Sequence, residues 1–141
     1  MVSFSPLPSP PNGWVTPMSD IRIEGCKILI VEDEYILAED LRRLLELAGA
    51  EVLGPVADSE TAKDILWNTA CDCAILDINL GGVRAFEVAR LAVDKGIPTV
   101  FTTGYDKYVL PPELSTVEVF EKPVAMPSLM EFIARSAGSA D

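Results

Sequence analysis

From residue 26 almost to its C-terminus the chain alternates short apolar runs with amphipathic stretches, a pattern of βα repetition that predicts a parallel sheet. Lys27–Val31 and Glu51–Val56 read as the first two strands, residues 72–76 as the third, 97–102 as the fourth and 116–120 as the fifth. Leu37, Leu41, Leu44, Leu45 and Ala48 recur at helical spacing after the first run, and Gly49 ends that helix. Residues 59–69 predict a second helix with Ser59 as N-cap. Residues 85–95, closed by Gly96, predict a third, and 128–136 a last one. Gly104, Pro111 and Pro112 interrupt the stretch between the fourth and fifth strands. A fourth helix there is expected to be shortened or irregular, a turn or two at most. Ahead of the first strand, residues 1–20 hold Pro6, Pro8, Pro10, Pro11 and Pro17 among Ser, Asn and Gly. That composition favours an extended, flexible N-terminal extension, leaving 21–141 as one α/β domain.

Composition narrows the function more than the fold. With 49% hydrophobic residues in 141, the chain can bury a core and is not a disordered segment. A formal charge of -11 argues against direct DNA binding and against anionic membrane surfaces, and favours a partner with a basic patch. No apolar stretch approaches the roughly 20 residues of a membrane span. The first 21 residues carry no Lys or Arg for a secretory leader, so a cytoplasmic location is expected. Three cysteines and no histidine leave no Cys/His zinc set, no phosphohistidine donor, no His base and no Ser-His-Asp triad. Cys71 and Cys73 read as small buried or half-buried residues around a strand.

Four of the apolar runs end in polar groups that phosphoryl chemistry on a carboxylate requires. The first runs into Glu32 and Asp33, the third into Asp77, the fourth into Thr103, and the fifth leads through Glu121 to Lys122 and Pro123. In parallel strands these residues share the carboxyl edge of one sheet, where α/β sites form. Two unit charges 4 Å apart repel by about 4 kcal/mol at an effective dielectric of 20, and a bound cation would relieve that. Oxygen donors without His or Cys favour Mg²⁺, or Mn²⁺, over zinc. Asp33 and Asp77 are assigned as direct ligands, Glu32 as a ligand through water, and the Asn79 backbone carbonyl as a further donor. Asp77 is the best nucleophile for forming an aspartyl phosphate. Lys122 can bind a phosphoryl oxygen as a point charge, Thr103 can donate to another, and Gly104 leaves room for a donor. Singly, each residue has an ordinary structural explanation; together and in this order they do not.

Val31-Glu32-Asp33-Glu34, Leu76-Asp77-Ile78-Asn79-Leu80, Thr103-Gly104 and Lys122-Pro123 resemble the response-regulator receiver domain over about residues 26–136. The resemblance implies a flavodoxin-like (βα)5 doubly wound fold of strand order 2-1-3-4-5, phosphorylated by a sensor histidine kinase on Asp77. Phe101-Thr102-Thr103-Gly104-Tyr105 and Leu80-Gly81-Gly82 are similar to the FATGUY receivers, a subclass that is typically single-domain and works with HWE-type or related histidine kinases. Most receivers couple the switch Thr to an aromatic residue three positions before the Lys, where this chain has Val119. Phe120 should point to the other face of the strand. The segment 105–114 is therefore the expected mobile element, and Asn79 and Tyr105 the residues expected to tune phosphoryl lifetime. The resemblance also implies kinase docking at the first helix and the loop after the fifth strand, through Ile36, Glu39, Asp40, Arg43, Pro123 and Val124.

The leading reading is thus a single-domain phosphoacceptor that signals through altered protein contacts or passes phosphate to a downstream phosphotransfer or target protein. It is expected to be a signalling phosphoacceptor and not an enzyme, catalysing only its own phosphorylation and dephosphorylation. A haloacid-dehalogenase-like phosphatase would place an acid where Asn79 stands and would need a cap domain. A phosphorylation-independent pseudo-receiver would lack a ligand or the Lys.

Overall fold

The computed structural model describes residues 23–104 and 108–138, so the 1–20 extension and Tyr105 lie outside the described residues. Five parallel strands form one sheet: β1 (Lys27–Val31), β2 (Glu51–Val56), β3 (Cys73–Asp77), β4 (Thr99–Thr103) and β5 (Glu118–Glu121). Their order is β2-β1-β3-β4-β5, as the resemblance implied. The register runs Val31 beside Leu76, Asp77 beside Thr102 and Thr103 beside Glu121, so the carboxyl ends lie nearly level. Apolar runs without polar alternation suit strands covered on both faces. Accordingly β3 and β4 are buried throughout, while the edge strands β2 and β5 are partly exposed. Pro55, which has no N–H to give a ladder, sits in edge strand β2.

Helices cover both faces. On one, α2 (Ser59–Asn68) and α3 (Phe86–Asp94) pack on Leu29, Val31, Ala74, Leu76 and Phe101. Phe86 meets Phe101 edge-on at 6.0 Å. On the other, α1 (Tyr35–Leu47) and α4 (Met126–Ile133) pack on Ile28, Ile30, Cys73, Ile75 and Val100. The period of two along each strand thus assigns alternate residues to the two halves of the core. Phe120 joins the α1/α4 side and meets Phe132 at 6.4 Å, while Val119 packs against the α2/α3 side. The expectation that these neighbours face apart holds.

Several boundaries differ from the expectation. Asp58, not Ser59, caps α2, because its carboxylate accepts from the Thr61 amide at 2.8 Å and from the Thr61 hydroxyl at 3.0 Å. A carboxylate one residue earlier reaches the third helical amide, which Ser59 inside the helix cannot do. β3 runs through Asp77 itself. Leu37, expected in the core, is 41% exposed at the rim of α1. The last helix starts at Met126, before Ser128, and passes into a π-helical turn at Ala134–Gly138. Between β4 and β5, the described residues hold only a 3-10 turn at Pro112–Leu114, in line with the expected shortened or irregular fourth helix. Cys26 and Cys73 are buried and Cys71 half-buried, and burial pushes all three thiols up from their ordinary range.

Candidate functional site

Level strand ends bring the predicted polar groups together. β1 delivers Glu32 and Asp33, β3 ends on Asp77, and the residue after β5 is Lys122, whose amide donates to the Thr103 carbonyl at 2.8 Å. One carboxylate oxygen each from Glu32, Asp33 and Asp77 lies within 4.8 Å of the others. Glu32 and Asp77 are only 8% and 5% exposed, whereas Asp33 faces solvent. An open cavity of about 420 Å³ is lined by Asp33, Glu34, Asp77, Asn79, Gly81, Gly104 and Lys122. Thr103, 2% exposed, is at the end of β4 beside it.

Lys122 is the electrostatic centre. Its ammonium lies 2.7 Å from Glu32 Oε2, 2.9 Å from Asp77 Oδ2 and 3.6 Å from Glu34 Oε1. Burial alone would lower the lysine, but the hydrogen bonds to Glu32 and Asp77 outweigh it and hold the ammonium above its usual range. Glu32 moves the opposite way to an ordinary ion-paired acid. Burial raises it, the Lys122 and Glu34 hydrogen bonds oppose that, neighbouring Asp77 adds to it, and the carboxyl is pushed up to about 7. One cation among four acids does not compensate them all, so Glu32 holds a proton more readily than a surface glutamate.

Three hard oxygen donors at these separations, one of them open to solvent, suit a Mg²⁺ that keeps several waters. Asp33 and Asp77 would hold it directly, and Glu32 is near enough to act through water. Asn79 serves the site in two visible ways. Its amide donates to Asp77 Oδ1 at 3.1 Å, fixing the acceptor carboxylate, and its side-chain oxygen accepts from the Gly82 amide at 2.9 Å. Gly104 is in the cavity wall, where an added Cβ would stand 3.9 Å from the Lys122 side chain.

On α1, Ile36 is 74% exposed, Asp40 and Arg43 are exposed and joined at 3.3 Å, and Glu39 is half-buried and bound to Arg42. Asp40, Pro123 and Val124 line a neighbouring groove of about 190 Å³ with Leu37, Leu41, Leu44 and Met126. Three contributors escaped the sequence reading. Glu34 approaches Lys122, Tyr35 stands 77% exposed beside Ile36, and Gly81 lies against Asp33. The first two follow the acidic pair directly. The third was signalled by Gly81-Gly82, a dipeptide that favours a two-residue hairpin turn.

Among the described residues no helix is long and apolar enough to cross a membrane. Residues 28–134 match the family model described as the response regulator receiver domain. The sensory transduction protein LytT of Bacillus subtilis is 33% identical over 101 residues, covering 69% of this chain and 42% of LytT. The regulatory protein VirG of Agrobacterium tumefaciens is 30% identical over 126 residues, covering 83% of this chain and 45% of VirG. The chain thus spans less than half the length of these curated relatives. Among solved structures, SdrG from Sphingomonas melonis Fr1 is 31% identical with a TM-score of 0.65, covering 81% of this chain and 94% of SdrG. PhyR from Brucella abortus shares the fold at 22% identity and a TM-score of 0.70, over 83% of this chain and 49% of PhyR. With five parallel strands in the matching order and the acids and the lysine gathered at one sheet edge, the chain belongs to the response regulator receiver domain family.

Proposed function

We propose that this chain is a Mg²⁺-dependent phosphoacceptor of a two-component phosphorelay, taking a phosphoryl group from a histidine kinase onto Asp77. The observation that carries the reading is the placement of Asp77, held by the Asn79 amide on one oxygen and the Lys122 ammonium on the other, at the floor of an open acidic cavity. The Asp77 carboxylate attacks phosphorus. The new O–P bond forms as the donor's P–N bond breaks, and the imidazole nitrogen keeps the bonding pair. A Mg²⁺ ion held by Asp33 and Asp77 would neutralise phosphoryl charge in this step. Lys122 then exchanges its contact with Asp77 for a phosphoryl oxygen, and Thr103 donates to another. Tight placement of the acceptor and cationic compensation are what phosphoryl transfer asks of a protein.

We read the chain as one of the FATGUY receivers, working with an HWE-type or related kinase, a reading supported by its Phe101-Thr102-Thr103-Gly104-Tyr105 motif. The kinase would meet exposed Ile36 and Tyr35 and the groove at Pro123 and Val124, with transmission through altered protein contacts or onward phosphotransfer. Incubation with acetyl phosphate and Mg²⁺, followed by intact-mass measurement, tests the chemistry. One phosphoryl adduct is expected on the native protein and none on Asp77→Asn; an adduct on both would refute the assignment.

A further inference from the structure

Between β3 and α3 the chain forms a small antiparallel hairpin in which Asn79 pairs with Arg84 and Leu80 with Val83. Its two-residue turn, Gly81-Gly82, has φ of 60° and 93°, the doubly left-handed geometry of a type I′ turn that admits Gly, Asn or Asp. The hairpin is anchored. Ile78 and Leu80 are 1% and 6% exposed, the Ala85 amide donates to the Ile78 carbonyl at 2.9 Å, and the Asn79 side chain holds the Gly82 amide. This firm wall reaches the site: a Cβ built on Gly81 would stand 3.5 Å from Asp33 Oδ2, while one on Gly82 would meet nothing within 4 Å. Gly81 and Gly104 both line the cavity above Asp77, so two positions without side chains border its opening.

We infer that Gly81 is a specificity-determining position, a size gate that leaves the entrance beside Asp33 wide enough for a phosphodonor with a ring as leaving group. Asn79 is the positioning residue that holds the gate in place. Through one residue it couples the turn, by its side chain, to the acceptor carboxylate, by its amide. The inference rests on the phosphoacceptor reading. Gly81→Asn tests it with little risk to the fold, because Asn-Gly is the favoured type I′ dipeptide and Asn tolerates positive φ. The added amide would project from the wall into the entrance.

The experiment measures phosphorylation rate against donor concentration by intact mass, at Mg²⁺ saturation established by thermal melts. The donors are phosphoramidate, with an ammonia-sized leaving group, and phosphoimidazole, which carries the imidazole ring. For Gly81→Asn the second-order rate constant with phosphoimidazole should fall by about tenfold or more, and with phosphoramidate by less than about threefold. Gly81→Ala should show the same preference to a smaller degree and serves if the Asn variant does not fold. Gly82→Asn, which adds the same group away from the site, should leave the ratio of the two donors unchanged. Equal slowing with both donors, or no slowing with either, overturns the gate. A native protein that accepts from neither donor overturns the phosphoacceptor reading and the gate with it.

Discussion

The three-carboxylate cluster predicts a crossing of stabilities between native protein and Asp33→Asn as Mg²⁺ is added. Charges at the 4.8 Å limit of the cluster repel by about 0.9 kcal/mol per pair in bulk water and about 3.5 kcal/mol at an effective dielectric of 20. Asp33 is solvent-exposed, so its two pairs, with Glu32 and Asp77, belong nearer the lower figure. Without metal, removing the Asp33 charge should therefore stabilise the fold by about 1–2 kcal/mol. Adding Mg²⁺ reverses the order. At hundredfold excess over its Kd the ion stabilises the native protein by about 2.7 kcal/mol through mass action, more than that deficit, for a Tm rise of roughly 5–11 °C in a domain of this size. Asp33→Asn loses a ligand and should rise by much less. Calorimetry or fluorescence melts of both proteins in chelator and in a Mg²⁺ series measure both halves. A Mg²⁺ shift of the same size in both proteins, or an Asp33→Asn variant less stable in chelator, would refute the cluster as a metal site.

Lys122→Met keeps the stem but leaves Glu32 and Asp77 buried with no cation between them, so in chelator it should cost about 2–4 kcal/mol by urea unfolding, less below pH 7 where Glu32 takes a proton. It should still accept phosphoryl groups slowly from acetyl phosphate, yet show amide spectral changes on phosphorylation unlike those of native protein. Because Glu32 is raised in the fold from 4.5 to about 7, its contribution to metal-free stability is fully present below pH 4.5 and is lost as pH rises through 7. Glu32→Gln should flatten that part of a Tm-against-pH curve, and an unchanged slope would contradict the raised acid. Ile36→Asp should abolish transfer from the cognate kinase while leaving acetyl phosphate chemistry intact, measured by intact mass; loss of both would count against a docking role.

The sequence alone determined the parallel α/β architecture and the gathering of the acids, the threonine and the lysine at one sheet edge. Uninterrupted apolar strands and 3.6-residue periodicity are local signals, and parallel strands ending in polar residues leave those residues one common edge. Glu32, Asp33, Asp77, Thr103 and Lys122 were legible at that edge for that reason, and the shortened fourth helix at Pro111 and Pro112 and the opposite facing of Val119 and Phe120 were legible from local chemistry. Tertiary structure decided how the charges share the space. That Lys122 contacts Glu32 and Asp77, and that burial raises Glu32, depends on side-chain reach and solvent exclusion, which no spacing encodes. The choice of Asp58 over Ser59 as cap turned on one residue of backbone phase, finer than periodicity resolves. The wall at Gly81 is likewise a tertiary fact. Gly81-Gly82 suits a tight turn, but only the packing of Ile78 and Leu80 brings that turn against Asp33, a residue 48 positions earlier in the chain.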